Sequence, residues 1–279
     1  MGKTLTKKEA IEFLGLEENV FENYFKNAEE FLALPRVGKG RFMFDEDTLK
    51  TWADGIKYRT VDLGISDYAR CLDFALAMHF REYVASDFGT GRQREFGQKL
   101  TNWIKGQLGE IAVQKFFKAK FGVTVELDFD VHENIVPQDI VRVFDGKKWR
   151  EPKIGVGIKS TKPKGSFLIL GANEIEIMER RSDDYICCRP NIPDDHLLRV
   201  ASGAFKELVK NEQHYENYKQ QILPLTTISC EVVGYCNYQE LDKVNEIPGQ
   251  AFDNGYRYVR KTGLLHKKPD EWQAFVSKI

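Results

Sequence analysis

The chain has 279 residues, enough for one large domain or two of ordinary size. Its 42% hydrophobic and 30% charged residues are those of a soluble globular protein, and no apolar run approaches the ~20 residues of a membrane span. A net charge of −1 excludes a polybasic coat, and five cysteines, an odd number without zinc-like spacing or a signal peptide, point to reduced thiols in a cytoplasmic protein.

The first elements are helical. Thr6-Lys7-Lys8-Glu9 forms a capping box, so a helix starts at Lys7 and runs through Ala10, Ile11 and Leu14 to Gly15. A second helix, from about Asn19 to Leu32, places Val20, Phe21, Tyr24, Phe25 and Ala28 on one side. Pro35 to Arg41 reads as a glycine-centred turn and Arg41 to Phe44 as a strand. Asp45 then caps a helix carrying Leu49 and Trp52. This order resembles the small winged helix-turn-helix modules of the MerR and excisionase type, which implies DNA binding by a domain over residues 1–60. The charges point elsewhere for part of it. Leu16 to Leu34 holds five glutamates against Lys26 alone, a face that phosphates repel. The hairpin residues Arg36, Lys39 and Arg41 suit a phosphate or minor-groove contact, so DNA contact and a packing or dimerisation role both stand.

Ser66 caps a helix from Asp67 to Ala85, with Cys71, Phe74, Ala75, Met78 and Tyr83 on its inward side. His79 lies among apolar residues without a second ligand nearby and reads as a partly buried histidine. Phe88-Gly89-Thr90-Gly91 breaks the chain before a long helix from about Gln93 to Phe121. In its middle, GQLGEIAVQKFF, the small residues Gly106, Gly109 and Ala112 permit close packing around Glu110. A surface glutamate paired with Gln114 or Lys115 is one reading of Glu110. The crowding by Ile111, Val113, Phe116 and Phe117 favours a partly buried, functional one. Seven Lys or Arg against two Glu between Gly91 and Lys120 make a basic run, with Arg94 a DNA-contact candidate.

Val123 to Val131 reads as a strand whose Glu126, Asp128 and Asp130 share a solvated face. Pro137 to Lys162, PQDIVRVFDGKKWREPKIGVGIKSTK, follows as two strands with a basic connection. Asp139 stands just after Pro137. In the second strand Ile154, Val156 and Ile158 point one way, and Gly155, Gly157 and Lys159 the other. A carboxylate on one strand and a lysine on the next can bind a divalent metal and a phosphate. Eight basic residues against two acidic ones between Arg142 and Lys164 make the surrounding field positive. Phe167 to Leu170 is apolar, Ala172 to Arg181 reads as a short helix, and Asp184 to Arg189, Thr226 to Tyr235 and Tyr256 to Val259 read as strands.

The stretch from Gln93 to Arg189 resembles the core of the PD-(D/E)xK nuclease superfamily, the fold of most Type II restriction endonucleases. The resemblance implies an α/β catalytic domain over residues 61–279, a mixed central sheet flanked by helices. It implies Mg2+-dependent hydrolysis of double-stranded DNA by a cytoplasmic homodimer. Asp139 matches the first acid, Lys159 the lysine, and Glu110 a helix glutamate that reaches the metal in that family. Gly157 departs from the pattern, standing where the family has Asp or Glu. Three answers are open. Glu110 and the Ile158 carbonyl complete the site; or Ser160-Thr161-Lys162 sets the register and Glu176 is a migrated second acid, with Glu174 able to serve in either register; or the chain binds DNA without cutting it. Lys162, Arg180, Arg181 and Arg189 are candidates for DNA contact.

Overall fold

A computed structural model gives the fold and describes residues 3–16, 18, 21–22, 29–37, 43–80, 95–131, 138–201, 213, 216, 225, 227–252 and 255–279. The chain begins with β1 (Thr4–Thr6) and α1 (Lys7–Phe13), joined by the expected capping box. The Glu9 amide donates to Thr6 Oγ1 at 3.3 Å, and the Thr6 amide donates to the Glu9 carboxylate at 2.8 Å. Next come α2 (Glu29–Leu32), β2 (Arg36–Val37), β3 (Met43–Asp45) and α3 (Glu46–Arg59). Asp45 caps α3 by accepting from the Thr48 amide at 2.9 Å. The three strands pair antiparallel in the order β1-β3-β2. Leu5, Ala10, Phe21, Phe31, Phe44 and Leu49 close a core of their own, with the Phe31 ring edge-on to Phe21 and Trp52. Most of the helix expected between Asn19 and Leu32, and the hairpin tip with Lys39 and Arg41, lie outside the described residues.

The larger part follows with β4 (Thr60–Gly64), α4 (Ile65–Phe80), α5 (Phe96–Phe121), β5 (Thr124–Leu127), β6 (Ile140–Phe144), β7 (Trp149–Arg150), β8 (Val156–Ser160), β9 (Phe167–Gly171) and α6 (Ala172–Glu176). It continues with β10 (Asp184–Pro190), α7 (His196–Val200), β11 (Thr227–Asn237), β12 (Asp242–Val244), β13 (Glu246–Ile247), β14 (Gln250–Ala251), β15 (Arg257–Lys261) and α8 (Pro269–Lys278). The central sheet has the order β4-β11-β10-β8; β10 and β8 run parallel and the other pairs antiparallel. A meander, β5-β6-β7, stands beside it.

The alternation in β8 has the expected consequence. Val156 and Ile158 are buried in the main core, against α5 and α4, where Phe116 and Phe117 meet Trp272 and Phe275 of α8. The other face of the sheet is also covered: Tyr185, Cys187, Val233 and Cys236 pack on Leu168, Leu170, Ile175 and Leu265. Those residues come largely from a second sheet, β12-β15-β9, and from α6. Cover on both faces explains why every residue of β10 is buried. The architecture is mixed α/β: a helical layer, the mixed sheet, and a small antiparallel sheet behind it.

α5 sits closest to the sheet at Gly109. A Cβ built there would come within 2.2 Å of Ser160 Oγ and 3.1 Å of Cys188 Cβ. Only a residue without a side chain lets the helix lie this near β8 and β10, and the next residue is Glu110. All five cysteines are buried and outside any disulfide. Among the described residues no helix is long and apolar enough to cross a membrane.

Candidate functional site

Asp139 directly precedes β6 and is bound to the edge of β8. Its backbone N–H donates to the Val156 carbonyl at 2.9 Å, and its Oδ2 accepts from the Ile158 amide at 2.5 Å. Both bonds use the side of β8 that β10 leaves free, so Asp139 is fixed to the strand that carries Lys159. Pro137 lies outside the described residues.

Two elements bring the remaining charges. From α6, Glu174 Oε1 lies 2.7 Å from Lys159 Nζ. From α5, Glu110 enters with only 6% of its surface exposed. Gln107, one turn earlier on the same helix, donates Nε2 to Glu110 Oε1 at 2.9 Å. Glu110 Oε2 and Gln107 Oε1 are both buried without a hydrogen bond.

The four charged groups act on one another. Burial pushes the Glu110 carboxyl well above the ordinary carboxylate range, and the Asp139 charge adds to it while Lys159 opposes it. Burial also raises Asp139, against the Lys159 charge and the Ile158 amide. Burial works against the Lys159 ammonium, but Glu174 and Asp139 outweigh it and hold the lysine charged. Asp128, beyond the end of β5, repels both Glu110 and Asp139; the expected solvated aspartate thus belongs electrostatically to the site. Four carboxyl groups, Asp128 included, against one ammonium leave an excess of negative charge in a partly dry place.

Gly157 has a local explanation. A Cβ there would meet Ser182 Oγ and two carbons of the Tyr185 ring, each at 2.8 Å. The glycine is needed by the packing of Tyr185 across the β8–β10 pair, and an acid in its place has no room beside Lys159. Glu176 is also placed elsewhere. It is exposed and accepts from Tyr256 at 2.8 Å, Tyr258 at 3.0 Å and Lys243 at 3.1 Å. Of the two glutamates in α6, it is Glu174 that reaches Lys159.

The expected DNA contacts are scattered. Lys162 is exposed just beyond β8. Arg180 is half-buried, and Arg181 stacks over the Tyr238 ring at 4.0 Å. Arg189 is buried in an ionic knot: it donates to the Gly165 carbonyl at 2.7 Å and to Thr262 at 2.9 Å, and pairs with Glu231 at 3.3 Å and Glu30 at 3.6 Å. That arginine ties the β8–β9 connection to the N-terminal segment and is not available to a base edge. Arg36 stands in β2, paired with Phe44 in the ladder, while Lys39, Arg41 and Arg94 lie outside the described residues.

A second buried polar group is separate from this site. His196 is fully buried between Tyr68, whose hydroxyl is 2.6 Å from Nδ1, and Thr101, whose Oγ1 is 3.0 Å from Nε2. Burial, then Lys105, lowers its imidazole to about 4, so it is a neutral link between α4, α5 and α7.

No group of three or more His, Cys, Asp or Glu placed to hold a metal occurs among the described residues. The donor set at Glu110 and Asp139 nonetheless suits a hard divalent cation. Mg2+ is commonly held by one or two carboxylates, with substrate phosphates and water completing its shell. Two carboxyl groups that repel each other, Glu110 buried with an orphaned oxygen and Asp139 half-buried, are what such an ion would neutralise. Compared with protein-family models, with curated proteins and with solved structures, the chain has no match.

Proposed function

We propose that the chain is a divalent-metal-assisted DNA endonuclease of the site-specific, Type II restriction kind. One observation carries this reading: Asp139, fixed at the free edge of β8, couples electrostatically both to Glu110 of α5 and to Lys159 of β8. The order α5, β5, β6, β8, α6, β10 supports it, since it resembles the helix-strand-helix-strand order of the PD-(D/E)xK core.

Asp139 and Glu110 would hold Mg2+, and a bound ion there supplies a Lewis acid for the scissile phosphate and a more acidic water. Lys159 offers its ammonium to a phosphoryl oxygen or to the attacking water. Glu174 keeps that ammonium charged and in place. Glu174 pairs with the lysine from α6, and the metal ligand that an acid at 157 would supply falls to Glu110. A two-fold homodimer would suit a palindromic duplex site. The N-terminal segment, with its own core, is a second DNA-contact candidate of the winged helix-turn-helix kind.

The test is incubation with plasmid and phage DNA in Mg2+. Discrete fragments are the expected result. A smear points to a nonspecific nuclease instead. No cleavage, with a gel shift retained, makes the chain a DNA-binding protein with a degenerate nuclease site.

A further inference from the structure

We propose that Gln107 is the positioning residue of the metal seat, an inference that rests on the metal-assisted reading above. Its side chain is 7% exposed and lies one helical turn before Glu110. Its amide donates to Glu110 Oε1 at 2.9 Å, which fixes the carboxylate plane and commits one of the two oxygens. The other oxygen, Glu110 Oε2, is buried and meets no donor, and so is Gln107 Oε1. Two buried polar oxygens without partners are costly in a folded interior, each on the order of 1–3 kcal/mol. A cation held by Glu110 would engage the orphaned Oε2, the oxygen that Gln107 leaves uncommitted.

The backbone supports this placement. Gly109 lies between the two residues and brings α5 against Ser160 and Cys188, so the helix has little freedom to shift or roll. Glu110 is therefore aimed by two constraints, the close helix–strand approach behind it and the Gln107 amide beside it. Hydrogen bonds of this kind to a ligating carboxylate typically contribute 10–100-fold in metal affinity. Sequence reading passed over Gln107, though the Gln-x-x-Glu spacing on a helix is a visible signal for a side-chain pair.

The experiment measures metal binding rather than cleavage. Mn2+ and Mg2+ are titrated calorimetrically into the full chain as wild type, Gln107→Met, Glu110→Gln and the double variant. Met keeps the volume and removes both the donor and the acceptor. We expect Gln107→Met to weaken metal binding by roughly 10–100-fold while its melting temperature without metal is unchanged or higher. The double variant should bind no more weakly than Glu110→Gln alone, because Gln107 acts through Glu110. Wild-type affinity in Gln107→Met overturns the positioning role and leaves the metal reading intact. Additive losses also overturn it, by showing that Gln107 acts without Glu110. Should Gln107→Met fail to fold, Gln107→Leu, which also removes donor and acceptor without adding a charge or a ligand, replaces it in the same cycle. Absence of metal binding by the wild type, with or without duplex DNA, overturns this inference together with the reading it rests on.

Discussion

Glu110→Gln separates a functional carboxylate from a structural one. The change keeps the shape of a buried side chain and removes its charge. In the wild type, burial and the Asp139 charge push this carboxyl well above its usual 4.5. The folded chain therefore retains a proton that the unfolded chain releases, and stability declines as pH rises from there through the folded-state pKa. A neutral amide carries no such dependence. His196 has the opposite sign: its imidazole sits at about 4 instead of 6.5, so its contribution is complete above 6.5 and is lost as pH falls toward 4. The two overlap in mild acid, which makes the alkaline side of neutrality the place to measure Glu110. There the buried ionised carboxylate, with Oε2 unpartnered, costs the metal-free wild type on the order of 1–3 kcal/mol more than the neutral amide. For a chain of this size each kcal/mol is about 2–4 °C in Tm. The metal-free variant should thus melt roughly 2–12 °C above the wild type near pH 8. Mg2+ should reverse that order, because ligand at about 1,000 times its Kd adds about 4.1 kcal/mol to the form that binds it. Thermal melts across pH, with and without Mg2+, give the answer. A variant that melts below wild type without metal and gains as much from Mg2+ would refute the reasoning.

Other consequences concern packing and protonation. Gly109→Ala forces a methyl group onto Ser160 and should lower stability by about 1–3 kcal/mol in urea unfolding, with weaker Mg2+ binding as α5 lifts from β8. Gly157→Asp should also destabilise, through Tyr185 and Ser182, and bring no gain in DNA cleavage; increased cleavage would show that the position faces the site after all. His196→Gln should flatten the fall in stability between pH 6.5 and 4, a contribution of about 3 kcal/mol at 1.36 kcal/mol per pKa unit. An unchanged acid limb would mean the imidazole titrates normally.

Local chemistry was readable from the chain. The capping box at Thr6 and the cap at Asp45 lie three residues from the groups they satisfy, and both form as expected. The period of two in β8 gave its buried face, and the apolar crowding around Glu110 gave its burial. What the chain did not disclose depends on partners far along it. Glu174 and Glu176 are two residues apart on a helix of one turn, so they point in different directions, and only the approach of α6 to β8 decides which meets Lys159. Gly157 looked like a missing acid because Tyr185, which fills its space, is on another strand. Arg189 looked available to DNA because Glu30, Glu231 and Thr262 come from three distant segments. The trio of His196, Tyr68 and Thr101 was invisible for the same reason.

The most direct test compares wild type with Asp139→Ala on one duplex substrate. Binding is measured by gel shift without divalent metal, and cleavage in Mg2+. The account predicts Mg2+-dependent cleavage by the wild type, and loss of at least about 100-fold in the variant with DNA affinity retained. Equal cleavage by both proteins would remove Asp139, and with it the proposed metal seat, from the reaction.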